Sequence, residues 1–225
     1  MDQIIEKAIQ RGQKTLSEYD SKQIIQSVGI SITKEKLALN RDEAVRFAEE
    51  IGFPVVLKGC SDKAAHKTEM GLVKLKLTNA DEVRAAYDDI AGRGLELDGV
   101  LVQEMIQGNR ELVIGMNRDP QFGPCVMFGI GGIFTEIMKD VSFRVAPITE
   151  LDAEEMIDEI RMRKILDEFR GSPAVDRKEL VRALVGIGEL GYRNSEIAEI
   201  DINPLIISGS RPVVVDALVV LAQPN

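Results

Sequence analysis

The sequence predicts a mixed α/β (α+β) fold with two lobes, and three observations support this. Between residues 2 and 99, segments with helical spacing of apolar residues alternate with strand-like runs. From residue 100 onward strand-like runs dominate, and helices return only later. The shift near residue 100 indicates a boundary between an α/β lobe over residues 1–99 and a larger α+β lobe over residues 100–225. We expect a ligand site in the cleft where the two lobes meet.

The elements of the first lobe follow from apolar spacing and capping residues. Two helices are expected to open the chain, because apolar residues recur at helical spacing over residues 2–13 and a second start follows at Ser17. Asn40 and Asn79 are the predicted N-caps of two further helices. Short apolar runs predict strands at residues 32–39, 55–58 and 71–77.

The second lobe is predicted to contain an antiparallel sheet and two helical regions. Helices are expected within residues 152–169 and from an N-cap at Asp176 to Leu190, where Gly191 ends the helix. Gly209-Ser210 reads as a turn between late strands. The predicted strands lie at residues 100–105, 111–117, 124–128, 141–147, 197–202 and 213–219.

Composition excludes several classes of protein. The chain has 28 basic and 37 acidic residues, a formal charge of −9, which argues against a nucleic-acid binder. Its apolar runs are too short to span a membrane, and its N-terminus lacks a signal-peptide core, so we expect a cytoplasmic protein. Cys60 and Cys125 stand far apart without a CxxC motif, which argues against a zinc site or a disulfide framework.

A candidate metal site lies near the end of the chain. Alternate residues of a strand point to one face, so Glu199, Asp201 and Asn203 present oxygen donors together, and Pro204 keeps Asn203 extended. Asp216 stands among aliphatic residues on the next strand, where an unpaired carboxylate would be costly. Mg²⁺ prefers hard oxygen ligands and completes its shell with water and nucleotide phosphates. Asp201, Asn203 and Asp216 fit that demand, although a solvated hairpin face is the alternative.

Two further segments are suited to phosphate. Lys58 ends an apolar strand, where an ammonium can be kept at a fixed distance from a polyphosphate, although a lysine at a strand end is common. In the run 129–132, Gly131 and Gly132 would let backbone N–H groups approach a phosphate closely. This run matches neither the Walker A pattern nor the dinucleotide fingerprint, and it could form only a tight turn.

A predicted hinge follows the boundary between the lobes. Its backbone could bind adenine, and Glu111 on the next strand could accept hydrogen bonds from ribose hydroxyls. The alternative is that Glu104 and Glu111 are edge-strand charges that suppress aggregation. The hinge residues are Val102, Gln103, Glu104 and Met105.

His66 is the single histidine of the sequence and lies in a polar segment between two strand-like runs. Imidazole is an effective nucleophile near neutral pH, and Lys58, Lys63 and Lys67 would favour its neutral, attacking form. These features point to phosphoryl transfer through His66. The alternative is an ordinary surface histidine.

Together these segments resemble an ATP-grasp protein, and more closely the beta subunits of ADP-forming acetyl-CoA synthetases. The resemblance covers residues 19–221, and its most specific parts are Ala65-His66-Lys67 and the run 199–205. It also rests on Lys58, the runs 102–105, 122–124 and 129–132, Glu111 and Asp216-Ala217. Succinyl-CoA synthetase beta chains share some of these features but carry a further domain, which we do not expect in this protein.

The resemblance implies an ATP-grasp fold that binds the nucleotide between its lobes. It implies an acid-thiol ligase subunit that accepts a phosphoryl group on His66 and passes it to Mg-ADP. A CoA-binding alpha subunit would be the partner, in an alpha2beta2 heterotetramer. Lys58 would contact the phosphates, residues 102–105 the adenine, Glu111 the ribose, and Asp201, Asn203 and Asp216 the magnesium ion. A carboxylate ligase that forms an acyl phosphate directly and a nucleotide-sensing subunit are the alternatives.

Overall fold

The computed structural model describes residues 2–61, 71–132, 140–169 and 171–222. The chain divides into two compact units. The small unit comprises Ser17–Tyr19 and the described part of Thr33–Ile106. The large unit comprises the described parts of Met1–Leu16, Asp20–Ile32 and Gln107–Asn225. No helix in the described ranges is long and apolar enough to cross a lipid bilayer.

The helices and strands of the described residues are as follows, in chain order. They are α1 (Asp2–Gln10), α2 (Glu18–Ser27), β1 (Glu35–Ala38), α3 (Arg41–Ile51), β2 (Val55–Cys60), β3 (Val73–Leu77), α4 (Ala80–Ala91), β4 (Gly99–Glu104), β5 (Glu111–Asp119), β6 (Gly123–Ile130), β7 (Val141–Val145), α5 (Glu150–Glu159), a 3₁₀ helix (Arg163–Leu166), α6 (Arg177–Arg193), β8 (Ile197–Ser208), β9 (Arg211–Val214) and β10 (Ala217–Leu221).

The small unit contains, in its described residues, a four-stranded antiparallel sheet in the order β1-β4-β2-β3. Helices α3 and α4 pack on one face of this sheet. Both begin at predicted caps, because the side chains of Asn40 and Asn79 accept hydrogen bonds from the backbone N–H groups of Glu43 and Glu82. The two cap predictions are therefore confirmed.

Strand β2 lies inside this sheet, and all six of its residues are buried. Val55 and Leu57 join the core formed with α3 and α4. Because side chains alternate along a strand, Val56 and Lys58 face the other side of the sheet. The same alternation in β4 directs Val102 into the core.

The large unit contains, in its described residues, a six-stranded antiparallel sheet. Five strands follow the order β10-β8-β5-β6-β7, and β9 pairs with β8 at the side. One face of the sheet is covered by helices, because apolar residues of these strands share a buried core with α1, α2, α5 and α6. This core includes Ile5, Ile25, Ile114, Phe128, Met156, Leu184 and Ile202.

The structure differs from the sequence predictions at α6 and around β8. Gly191 does not end α6, which continues to Arg193. A Cβ atom at residue 191 would lie 2.8 Å from the Met116 Cε atom, so the glycine allows close packing of α6 on β5. Strand β8 continues to Ser208, and Asp216 lies in the connection between β9 and β10 rather than within a strand.

The residue boundaries of the two compact units also differ from those of the predicted lobes. Helix α1 and most of α2 belong to the large unit, because Ile5 and Ile25 join its core. The small unit extends to Ile106 rather than ending at residue 99, because β4 pairs with β1 and β2.

Candidate functional site

The three residues predicted to bind a metal lie together on the large unit. Ile200 and Ile202 of β8 are buried against the helices, so Asp201 and Asn203 lie on the opposite face of the sheet. The Asn203 N–H donates to the Asp216 carbonyl oxygen at 3.2 Å, which places Asp216 beside Asn203. The donors therefore come from neighbouring segments, β8 and the β9–β10 connection.

Negative charge is concentrated at this position. Burial raises the pKa of Asp201 above its ordinary value, and the charges of Glu199 and Asp216 raise it further. A raised pKa means that the ionised carboxylate is disfavoured, and a bound cation would offset that cost. The donor set thus attracts a cation electrostatically.

The chemistry of these donors fits Mg²⁺. In the described ranges, no group of three or more histidine, cysteine, aspartate or glutamate side chains is placed to hold a metal. Mg²⁺ does not need such a group, because it commonly takes one or two protein carboxylates and keeps water and phosphate oxygens as its other ligands. Asp201, Asp216 and the Asn203 amide match an open site of this kind.

Glu111 and the glycine pair also lie together on the large unit. The Gly131 N–H donates to the Glu111 carbonyl oxygen at 2.7 Å, so this N–H group is used within the protein. Gly132 is exposed and has φ +66°, and the Glu111 Oε2 atom lies 3.0 Å from where its Cβ would be. The residue predicted for ribose and the glycines predicted for phosphate are therefore neighbours.

The predicted hinge belongs to the small unit. The Val102 side chain is fully buried in the core. Gln103 is also buried. The Glu104 N–H donates to the Lys34 carbonyl oxygen at 2.9 Å, and the Met105 N–H donates to that of Pro54 at 3.3 Å. The chain passes from the small to the large unit between Ile106 and Gln107, directly after this segment.

Lys58 makes a contact that sequence reasoning missed. Its ammonium lies 2.6 Å from the Oε1 atom of Glu18, and both side chains are almost completely buried. The sequence contains a weak signal for this role of Glu18. Glu18, Lys22 and Ile25 lie on one face of the helix, and Ile25 is buried in the core. Charged side chains on such a face are expected to be buried as well and therefore to pair with groups of opposite charge.

His66, the predicted phosphoryl carrier, lies in the segment 62–70 outside the described residues. Its role therefore remains a prediction from the sequence.

Comparison with known proteins identifies the family. Residues 7–221 match the family described as the ATP-grasp domain. The chain is 45% identical, over 97% of its length, to the beta subunit of ADP-forming acetate–CoA ligase I of Pyrococcus furiosus, and it covers 97% of that protein. The chain belongs to the ATP-grasp family of ADP-forming acetate–CoA ligase beta subunits.

Two further relatives extend this result. An ADP-forming acetate–CoA ligase of Archaeoglobus fulgidus is 39% identical over 99% of this chain, which covers 33% of that longer protein. An acetyl-coenzyme A synthetase of Ca. Korarchaeum cryptofilum has a TM-score of 0.88 and 46% identity, with 98% of this chain and 99% of that chain covered. That structure contains coenzyme A and Mg-AMPPCP, and its phosphohistidine segment points towards the nucleotide-binding site.

Membership of the acetate–CoA ligase family confirms three predictions made from the sequence. These are the family resemblance, the ATP-grasp fold and the assignment of the chain to an acid-thiol ligase. The Pyrococcus furiosus relative is a subunit by name, and the Archaeoglobus fulgidus relative carries the corresponding sequence within a longer chain. The roles of individual residues stay predictions.

Proposed function

We propose that this chain is the nucleotide-binding subunit of an ADP-forming acyl-CoA synthetase. The complete enzyme would convert acetyl-CoA, ADP and phosphate into acetate, CoA and ATP. This subunit would carry out the last part, in which a phosphoryl group passes through His66 to Mg-ADP. The observation that carries the proposal is the cluster of Asp201, Asn203 and Asp216, whose donors and charge suit a magnesium-bound nucleotide.

The proposed transfer is balanced in atoms and charge. The P–N bond of phosphorylated His66 would break while a P–O bond forms to a terminal oxygen of ADP. The ring would leave as neutral imidazole, with a proton on its other nitrogen and the P–N electron pair on the nitrogen that carried the phosphoryl group. Asp201, Asn203 and Asp216 would hold Mg²⁺, which neutralises charge on the phosphate oxygens during transfer. Lys58 would contact the phosphates, the segment 102–105 the adenine and Glu111 the ribose. Gly132 would lie beside the phosphates, because it is exposed next to Glu111.

The proposed partner is a CoA-binding alpha subunit, in an alpha2beta2 heterotetramer within the cytoplasm. Support comes from the Archaeoglobus fulgidus relative, in which sequence like this chain makes up 33% of one longer protein. The remaining part of such a protein would supply the function of the partner. Neither nucleic acid nor a membrane is a partner in this proposal, in keeping with the net charge of −9.

The test is the intact mass of the protein after incubation with Mg-ATP under non-acidic conditions that preserve phosphohistidine. Wild type and His66→Asn are compared, each with and without a candidate alpha subunit. We expect wild type to gain one acid-labile phosphoryl group and His66→Asn to gain none.

Two results would contradict the proposal. Full activity of His66→Ala with the partner would indicate a ligase that forms an acyl phosphate directly. Nucleotide binding by wild type without any phosphoryl transfer, even with the partner, would indicate a sensing subunit.

A further inference from the structure

Glu18 and Lys58 form a buried ion pair within the small unit. The Glu18 Oε1 atom lies 2.6 Å from the Lys58 Nζ atom, and the two side chains are 1% and 7% exposed. Glu18 is the first residue of α2, where the positive end of the helix dipole favours a carboxylate. Lys58 stands on the buried strand β2. Both partners are therefore anchored by secondary structure, unlike the flexible partners of a surface ion pair.

This geometry limits how Lys58 attracts a phosphate. An ammonium has three N–H donors, and one of them is directed at Glu18. A phosphate oxygen bound to another donor would lie about 4–5 Å from the carboxylate oxygen, given ordinary hydrogen-bond lengths. Two negative charges at that separation repel each other strongly in a partly desolvated site. Glu18 therefore offsets part of the attraction between Lys58 and a polyphosphate.

We infer that Glu18 is a positioning residue that sets nucleotide affinity through Lys58. It fixes the position of the ammonium and lowers the attraction of Lys58 for the nucleotide. A subunit that forms ATP must release it in every turnover, and product release limits the rate of many enzymes. The ion pair keeps that release fast. This inference rests on the proposed function, in which Lys58 contacts the phosphates.

The experiment is a double-mutant cycle with Mg-ADP affinity as the readout. Glu18→Gln keeps the size of the side chain and an acceptor atom but removes the charge. We expect Mg-ADP to bind the full-length Glu18→Gln chain about tenfold more tightly by isothermal titration calorimetry, equivalent to about 1.4 kcal/mol. In a Lys58→Met background the same substitution should tighten binding by clearly less than tenfold, because no ammonium then holds the phosphate beside the carboxylate.

A matched control removes a carboxylate from the surface of the same unit. Glu50 pairs with Lys36, and its side chain is 46% exposed. Glu50→Gln is expected to leave Mg-ADP affinity unchanged, because exposed charges are screened by water and salt. With the partner subunit present, Glu18→Gln should lower both the KM for ADP and kcat, since tighter binding slows release. If the ion pair had only a structural role, Glu18→Gln would lower the stability of the protein but would not lower the KM for ADP and kcat together.

The outcomes separate the inference from the proposed function. If Lys58→Met binds Mg-ADP as well as wild type, the phosphate role of Lys58 is wrong. If Lys58→Met binds weakly but Glu18→Gln binds no better than wild type, the inference alone is wrong. Equal tightening in the wild-type and Lys58→Met backgrounds also overturns it, because Glu18 would then act independently of Lys58.

A second substitution covers the case in which Glu18→Gln fails to fold. Glu18→Asp keeps the charge but withdraws it by one methylene group, which breaks the contact with Lys58. A smaller tightening, about threefold and close to 0.65 kcal/mol, is expected. Unchanged or weaker binding by a folded Glu18→Asp chain would refute the inference.

Discussion

Replacing Gly131 with alanine tests why a glycine stands beside Glu111. A Cβ atom at this position would lie 2.9 Å from the Glu111 carbonyl carbon, 3.0 Å from its carbonyl oxygen and 3.1 Å from its Cβ atom. None of these atoms is the flexible end of a side chain, so the backbone of β5 has to move. The hydrogen bond from the Gly131 N–H to the Glu111 carbonyl oxygen would weaken at the same time.

The expected cost follows from these contacts. Overpacking costs about 1–3 kcal/mol, and a weakened hydrogen bond adds about 0.5–1.5 kcal/mol. The lower entropy of the unfolded alanine chain returns about 0.4–1 kcal/mol. We therefore expect Gly131→Ala to lower the free energy of unfolding by about 2 kcal/mol, which corresponds to a melting temperature about 4–8 °C lower for a chain of this size.

The assay is thermal unfolding of wild type, Gly131→Ala and a control, Gly209→Ala. Gly209, in contrast, is not crowded, because no atom lies within 4 Å of the position that a Cβ atom would take. Only its φ of +63° opposes alanine. The control should cost about 1 kcal/mol from the left-handed backbone alone. A Gly131→Ala chain that is as stable as the control would refute the packing argument. Since Glu111 moves, Mg-ADP affinity should fall in Gly131→Ala and stay unchanged in Gly209→Ala.

Two further predictions concern the metal site and the effect of pH. Asp216→Asn removes a formal charge from the proposed magnesium shell, so Mg-dependent ADP affinity should fall about ten- to a hundredfold, the value of a charged contact of about 1.5–3 kcal/mol. If wild type and Asp216→Asn each bound ADP with the same affinity in the presence and absence of Mg²⁺, that role of Asp216 would be rejected. The hydrogen bonds from the Thr149 hydroxyl and N–H hold the pKa of Asp152 below its ordinary value. A lowered carboxyl pKa contributes stability above the unfolded pKa, near 3.9, and loses it as pH falls through the folded value. Wild type should therefore be more stable than Asp152→Asn at pH 7, and the difference should shrink in urea titrations below about pH 4. A difference that is constant from pH 7 to pH 3 would contradict this.

Local chemistry made several features predictable from the sequence. Asn40 and Asn79 cap their helices because a side-chain oxygen within three residues satisfies a free N–H group. Asp201 and Asn203 share a face because alternation along a strand is a local property. Such features depend on residues that are close in the chain.

Other features depend on packing between distant segments. Glu18 and Lys58 are 40 residues apart, and only the folded small unit shows that they pair. Gly191 resembles a helix stop, but Met116 packs against it and the helix continues. The burial of the Val102 side chain is a further example, because pairing of β4 with two neighbouring strands directs it into the core.

The twelve-residue strand β8 reverses its inward side at Pro204. Before this point the even-numbered Ile200 and Ile202 are buried, and after it the odd-numbered Leu205 and Ile207 are buried. A one-residue deletion just before Asp201 would turn the carboxylate towards the apolar helices. The Gly209-Ser210 turn is separated from Asp201 and Asn203 by this reversal. A length change at the turn is therefore expected to leave these two proposed magnesium ligands facing away from the helices.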